Sequence, residues 1–193
     1  MTKEKLTRFL QANGLISPPQ AEEIVQDFAA RTLRKNEFLL EAGKVSDDYF
    51  FLDAGFVRAF AYDTAGNDVT TGFYGSGQVV FEVASFFNRT PSAEYIQALT
   101  PCAGWCISHR QLNALFHERI EFREFGRSLL VRGFASLKGR MLAMITEPAA
   151  ARYESLLRAN PEILQHAPLK NVASYLGITD TSLSRIRKGK ARA

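Results

Sequence analysis

Near the C-terminus, Asp180, Thr181, Ser184, Arg185 and Lys188 combine the residue types and the spacing needed to read a double helix. Counted from Asp180 they fall at offsets of one, four, five and eight, which on an α-helix is one continuous face. Short hydroxyls, a carboxylate and a guanidinium suit the donors and acceptors that base edges display in the major groove. Lys170, Thr179, Ser182, Arg187 and Lys190 lie close enough to join them on phosphates or at the rim of the groove.

Such a face is useful only if it is presented rigidly, and the surrounding residues predict how. Val172, Ala173 and Leu176 have the spacing of the inner face of one helix. Gly177 follows as a turn residue with access to left-handed backbone. Ile178 would plug the corner, and Thr179 is placed to cap the next helix through its hydroxyl. Leu183 and Ile186 repeat at i, i+3, so the second helix, over 180–189, packs on the first and turns its polar side outward. The pattern is a helix-turn-helix. The plainer alternative is a helical hairpin with a solvated face.

Charge separates the two. Residues 1 to 163 carry 18 Lys and Arg against 19 Asp and Glu, whereas residues 164 to 193 carry six against Asp180 alone. The whole positive excess of the chain, +4 overall, therefore accompanies the helix-turn-helix, in Lys170, Arg185, Arg187, Lys188, Lys190 and Arg192. Concentrated cation is what counterion release from DNA requires. A basic membrane-surface helix would put large apolar residues on its free face, and this one does not. Elsewhere no apolar run is long enough to span a bilayer, and Met1–Lys5 leads into no signal-peptide core. With only Cys102 and Cys106, a disulfide framework is excluded, and a cytoplasmic location is expected.

Between residues 36 and 108 glycine-punctuated apolar runs dominate. Glu37–Glu41, Tyr49–Leu52, Phe56–Tyr62, Val69–Tyr74, Tyr95–Leu99 and Ala103–Ile107 read as strands parted by Gly and Asp turns. Short strands at this spacing predict an antiparallel roll or barrel. Two helical patterns precede it, around 3–12 and 19–29, the second opened by Pro18–Pro19. A long helix runs from about Arg119 to Ile145 without proline, broken at Glu147–Pro148. A shorter one occupies 149–159.

A glycine-punctuated β-roll, a long helix and a terminal helix-turn-helix together resemble the catabolite-activator (Crp/Fnr) family of bacterial transcription regulators. Tyr49–Arg58 looks like that family's strand–Gly–strand signature, and Gly77–Glu82 sits where it places a Gly-Glu phosphate-binding cassette. The resemblance implies an α+β chain: an N-terminal antiparallel β-roll of the cyclic-nucleotide-binding type over 1–118, a dimerisation helix over 119–146, and a helix-turn-helix domain over 147–193. It also implies a homodimer on a pseudo-palindromic double-stranded DNA site, with RNA polymerase a further partner if the protein activates transcription. Phe122, Phe125, Gly126, Leu129, Gly133 and Leu137 are then the expected dimer face. The chain leaves no room after Arg187 for a β-wing, so Lys190 and Arg192 are expected to supply backbone contacts.

The cassette departs from the family pattern. Phe81 stands for the Gly before Glu82, Ser92 stands where the Arg would be, and Glu94 adds a negative charge. Without a fixed guanidinium a buried phosphate loses its bidentate partner. Cyclic AMP is therefore not expected to bind in the usual way, and no cofactor is assigned. Phe81, Glu82, Arg89, Ser92 and Ala93 outline the place where another effector would sit, with Glu82 otherwise a cap for a short helix at 82–87. Phe81, Phe86 and Phe87 either line such a cavity or pack the core. Cys102, Cys106 and His109 have ligand-like types but no fourth partner, and no triad or carboxylate pair suggests an enzyme. The other reading is a ligand-binding roll whose helix-turn-helix serves protein contacts.

Overall fold

The computed structural model describes the backbone of residues 2–190 and the side chains of residues 2–189. Two short helices lead in, α1 (Glu4–Gln11) and α2 (Pro18–Ile24), the latter opened by Ser17, whose amide donates to the Gln20 side-chain oxygen at 2.9 Å. A single 3-10 turn, Val25–Asp27, ends the second helix. The helical pattern expected to reach residue 29 stops there, because Ala29 already belongs to a strand.

Strands β1 (Ala29–Leu33), β8 (Cys102–Ser108), β3 (Asp48–Ala54) and β6 (Val79–Val80) form one antiparallel sheet in that order. Strands β2 (Phe38–Leu40), β7 (Tyr95–Ala98), β4 (Val57–Tyr62) and β5 (Asp68–Tyr74) form the other. The predicted β-roll is thus present, with β1 and β6 in addition to the strands read from the sequence. In β3, Phe50 and Leu52 pack between the sheets with Val57, Ala59 and Ile96. Tyr49 and Phe51 point the other way, into a second cluster beneath α1 and α2. A strand buried on both faces reads as an uninterrupted apolar run rather than an alternation.

Helix α3 (Val83–Asn88) follows β6, and α4 (His109–Glu118) follows β8. The latter carries a signal that sequence reading overlooked: Ser108 and Gln111 form a capping box, Ser-x-x-Gln. Helix α5 (Ile120–Thr146) then runs unbroken until Pro148 stops it.

The expected dimer face of α5 needs correction. Phe122, Phe125 and Gly126 are buried inside the chain's own fold, and Leu129 packs on the same cluster. Gly126 is small because of Phe116, not because of a second helix: a Cβ there would sit 2.5 Å from the Phe116 ring. Gly133 meets open space and Leu137 is exposed. From Leu130 to Gly139 every side chain of α5 is exposed, so the free apolar ridge lies further along the helix than expected.

Phe125 is 1% exposed and holds α5 to α1 through an edge-on contact with Phe9, ring centroids 5.4 Å apart, and Phe9 rests in turn on Phe51 of β3. Phe125→Ala should lower unfolding free energy by about 3–5 kcal/mol, the usual cost of emptying a buried phenylalanine site. Urea denaturation followed by circular dichroism checks this. A loss below about 1 kcal/mol would mean that α5 is not anchored there.

Candidate nucleic-acid interface

Helix α6 (Ala149–Ala159), the short α7 (Ile163–His166), α8 (Leu169–Tyr175) and α9 (Asp180–Lys190) form the C-terminal head. Tyr153, Leu156, Ile163, Val172, Ala173 and Leu183 are its buried centre, with Ile178 and Ile186 packed at the margin. Ala173 is fully buried, so the α8–α9 corner has no room for a larger side chain.

The turn between α8 and α9 is built by backbone geometry. Gly177 has φ +66°, the left-handed conformation that costs little only for glycine. Its N–H donates to Ser174 O at 3.0 Å, and the Ile178 N–H donates to Ala173 O at 3.1 Å. That bond pair is the Schellman arrangement for closing a helix C-terminus. Arg152 adds a cation to the same end, donating to Leu176 O at 2.9 Å. Thr179 then opens α9, its hydroxyl accepting from the Ser182 N–H at 3.2 Å.

On α9 the sides are cleanly divided. Leu183 is buried and Ile186 half-buried, whereas Asp180, Thr181, Ser184, Arg185, Arg187 and Lys188 are exposed. Lys170 is exposed on α8. Thr179 and Ser182 differ from the rest: their hydroxyls lie 3.0 Å apart and are engaged in the cap. They fix the start of the helix. The Lys190 side chain and Arg192 lie outside the described residues.

The expected effector residues do not converge. The Glu82 carboxylate caps α3, accepting from the N–H groups of Ala84 at 3.0 Å and Ser85 at 2.6 Å. Arg89, in left-handed backbone at φ 57°, pairs with Asp47 at 2.7 Å and donates to Ser46 O at 2.8 Å. Buried Ser92 donates to Glu94 O, and Ala93 is exposed. A cavity of about 200 Å³ does exist in the roll, walled by residues 38–41 and 44–48 with Phe81 and Ile96. Of the residues expected around an effector, only Phe81 lines it; Glu82, Arg89, Ser92 and Ala93 do not. Its charged walls are already paired, Glu41 with Lys44, Asp47 with Arg89 and Asp48 with Arg31, so the lining cation Lys44 is engaged. Phe86 is fully buried in the core, and Phe87 beside it is partly exposed.

The cysteines and histidines are engaged with neighbouring groups of the fold. Cys102 is buried in the core between the sheets, and Cys106 Sγ lies 3.2 Å from Asp48 Oδ1. His109 stacks edge-on against Phe86, and His117 bonds Asn113 O within its own helix. Among the described residues no group of three or more His, Cys, Asp or Glu is placed to hold a metal ion. No helix among them is long and apolar enough to cross a membrane.

Residues 30–119 match the family described as cyclic nucleotide-binding domain. No curated protein matches the chain in sequence. Solved structures share the fold along most of it. FixK2 from Bradyrhizobium japonicum is 14% identical, with a TM-score of 0.72, and covers 84% of this chain and 83% of its own. The c-di-GMP responsive global regulator CLP of Xanthomonas campestris is 16% identical, with a TM-score of 0.68 over 89% and 90%. A putative transcriptional regulator of the Crp/Fnr family from Eubacterium rectale is 12% identical, with a TM-score of 0.71 over 96% and 88%.

Burial pushes the Cys106 thiol up to about 12, and the neighbouring Asp48 carboxylate adds to the shift. Because the thiolate is the nucleophile, alkylation of Cys106 by iodoacetamide at pH 8 should run at least about tenfold slower than that of a free thiol. Mass spectrometry of timed samples checks this. Rapid labelling would restore the case for a reactive cysteine site.

Proposed function

We propose that this chain, which carries a cyclic nucleotide-binding domain on the fold shared with Crp/Fnr regulators, is a DNA-binding transcription regulator acting as a homodimer in the cytoplasm. The observation that carries this reading is α9: a capped helix, set by a left-handed glycine turn, with Asp180, Thr181, Ser184, Arg185, Arg187 and Lys188 facing solvent. Its N-terminal residues are the ones a recognition helix presents to base edges. Arg185 is assigned to a base, since a guanidinium makes the paired contact that guanine offers in the major groove. Lys170, Arg187, Lys188 and Lys190 are assigned to phosphates.

The free ridge of α5 supports the dimer. Leu130, Phe134, Leu137, Met141 and Met144 recur at spacings of four, three, four and three, and all five are exposed. That is the heptad rhythm of a two-helix seam. Two heads on a two-fold axis would meet successive major grooves about one turn apart, which makes the preferred site pseudo-palindromic. RNA polymerase enters as a partner only if the protein activates.

Cyclic AMP is not the effector in this proposal. Glu82 is used as a helix cap, Ser92 replaces the arginine, and Lys44, the cation lining the cavity in the roll, is paired with Glu41. The chain's work is binding, with no catalytic step and no assigned cofactor.

Selection of bound sequences from a random DNA pool tests the proposal, and a shared two-fold motif is expected. Arg185→Ala should cost about 1–3 kcal/mol at one position of that motif and relax its sequence preference there. Lys188→Ala should weaken all sequences alike and reduce the salt slope by about one. A pool without a shared motif overturns sequence-specific reading. Leu137→Asp should shift sedimentation from dimer to monomer and lower affinity for the full site by at least about tenfold, because half the contacts are lost. A Leu137→Asp protein that remains dimeric would place the seam elsewhere.

A further inference from the structure

The head is not tethered to the roll by α5 alone. Strand β5 is the edge of its sheet, so one row of its backbone groups has no strand partner. Within β5 the register slips: Ala59 faces Gly72 and Phe60 faces Thr70, which leaves Thr71 as the extra residue of a bulge. The head covers this irregular edge. The Thr70 N–H donates to Ser174 Oγ of α8 at 2.7 Å. The Thr71 carbonyl accepts from one terminal nitrogen of Arg140, on α5, and the other donates to Tyr175 O at 3.1 Å. The same guanidinium stacks on the Tyr175 ring, its central carbon 3.9 Å from the ring centroid. Tyr175 in turn rests on Phe73 of β5, centroids 5.3 Å apart.

One side chain therefore grips three elements at once. A planar fork with two parallel donors and a stacking face is a property of arginine that lysine lacks. Its hydrogen-bond partners here are two backbone carbonyls, while its Nε is buried with no partner among the described residues.

We propose that Arg140 is a positioning residue that pins α8 to the bulged edge of β5, fixing the pose in which the head presents α9. This deepens the DNA-binding reading and rests on it for its consequence. In a dimer, a pinned head sets the distance between the two recognition helices, and with it the half-site spacing the protein accepts.

The clamp is tested first without DNA, by hydrogen exchange on the full chain. In Arg140→Ala and in Ser174→Ala, the Thr70 amide should exchange at least about tenfold faster, while amides of the β3–β8 ladder stay unchanged. Arg140→Lys should restore little, since it keeps the charge and loses the fork. Unchanged exchange at Thr70 in Arg140→Ala overturns the clamp. Binding is then measured on a series of sites whose half-sites are moved by one or two base pairs. The wild-type protein should prefer one spacing by about tenfold or more, and Arg140→Ala should bind neighbouring spacings within about threefold of each other. An Arg140→Ala protein with wild-type spacing preference overturns the positioning role. Wild-type protein that binds no DNA overturns the functional reading instead, and leaves the exchange result to decide the clamp.

Discussion

A small head that cannot enclose a core of its own is the constraint on which this structure turns. The segment from Ala149 to Lys190 supplies four helices, one of them a single turn. Its apolar cluster closes only by including Phe56, Phe73 and Leu99 from the roll. Few residues enclose little volume relative to surface, and borrowing a neighbour's apolar face is one remedy. The consequence is mechanical. A head whose core extends into the roll has a preferred pose, and the pose is written into packing rather than into the α5–α6 junction. Phe56 stacks near His166, Phe73 near Tyr175, and the buried Arg58–Asp68 pair lies in the strands beneath.

What the sequence made legible was local. The α8–turn–α9 unit depends on residues within twenty positions of one another, and Gly177, Thr179, Leu183 and Ile186 have the roles their types suggest. The glycine-punctuated strands were readable for the same reason. Elements defined by distant partners were not. Strand β1 is Ala-Ala-Arg-Thr-Leu, without a marked pattern, and exists because β8 lies along it from Leu33–Cys102 to Ala29–Cys106. The two residues of β6 are a strand only through Phe50 and Phe51. Along α5, residue type cannot say which apolar positions meet the rest of the chain and which stay free. Burial of Phe122 and Phe125 beside exposure of Phe134 and Leu137 draws that line.

The head–roll junction was invisible for a further reason. Its polar bonds run to the Thr70 N–H and the carbonyls of Thr71 and Tyr175, groups every residue possesses. A one-residue slip in register exposes them, and a slip leaves no trace in residue identity. Arg140, Ser174 and Tyr175 contribute side chains, but Arg140 sits among other cations on a long helix and the other two on the helix-turn-helix.

Charge placement connects these parts to recognition. Phosphate attraction is long-ranged and indifferent to sequence, so a basic head alone would bind any duplex. Selectivity needs a small number of base contacts held in fixed relation, and one short helix offers few. Pairing two heads multiplies the information only if their separation is fixed, because a second contact helps when it can be made at the same time as the first. In the proposed dimer, a seam along α5 would fix the helices but not the heads beyond Pro148. The contact between α8 and β5, an open edge of its sheet, would supply that second constraint.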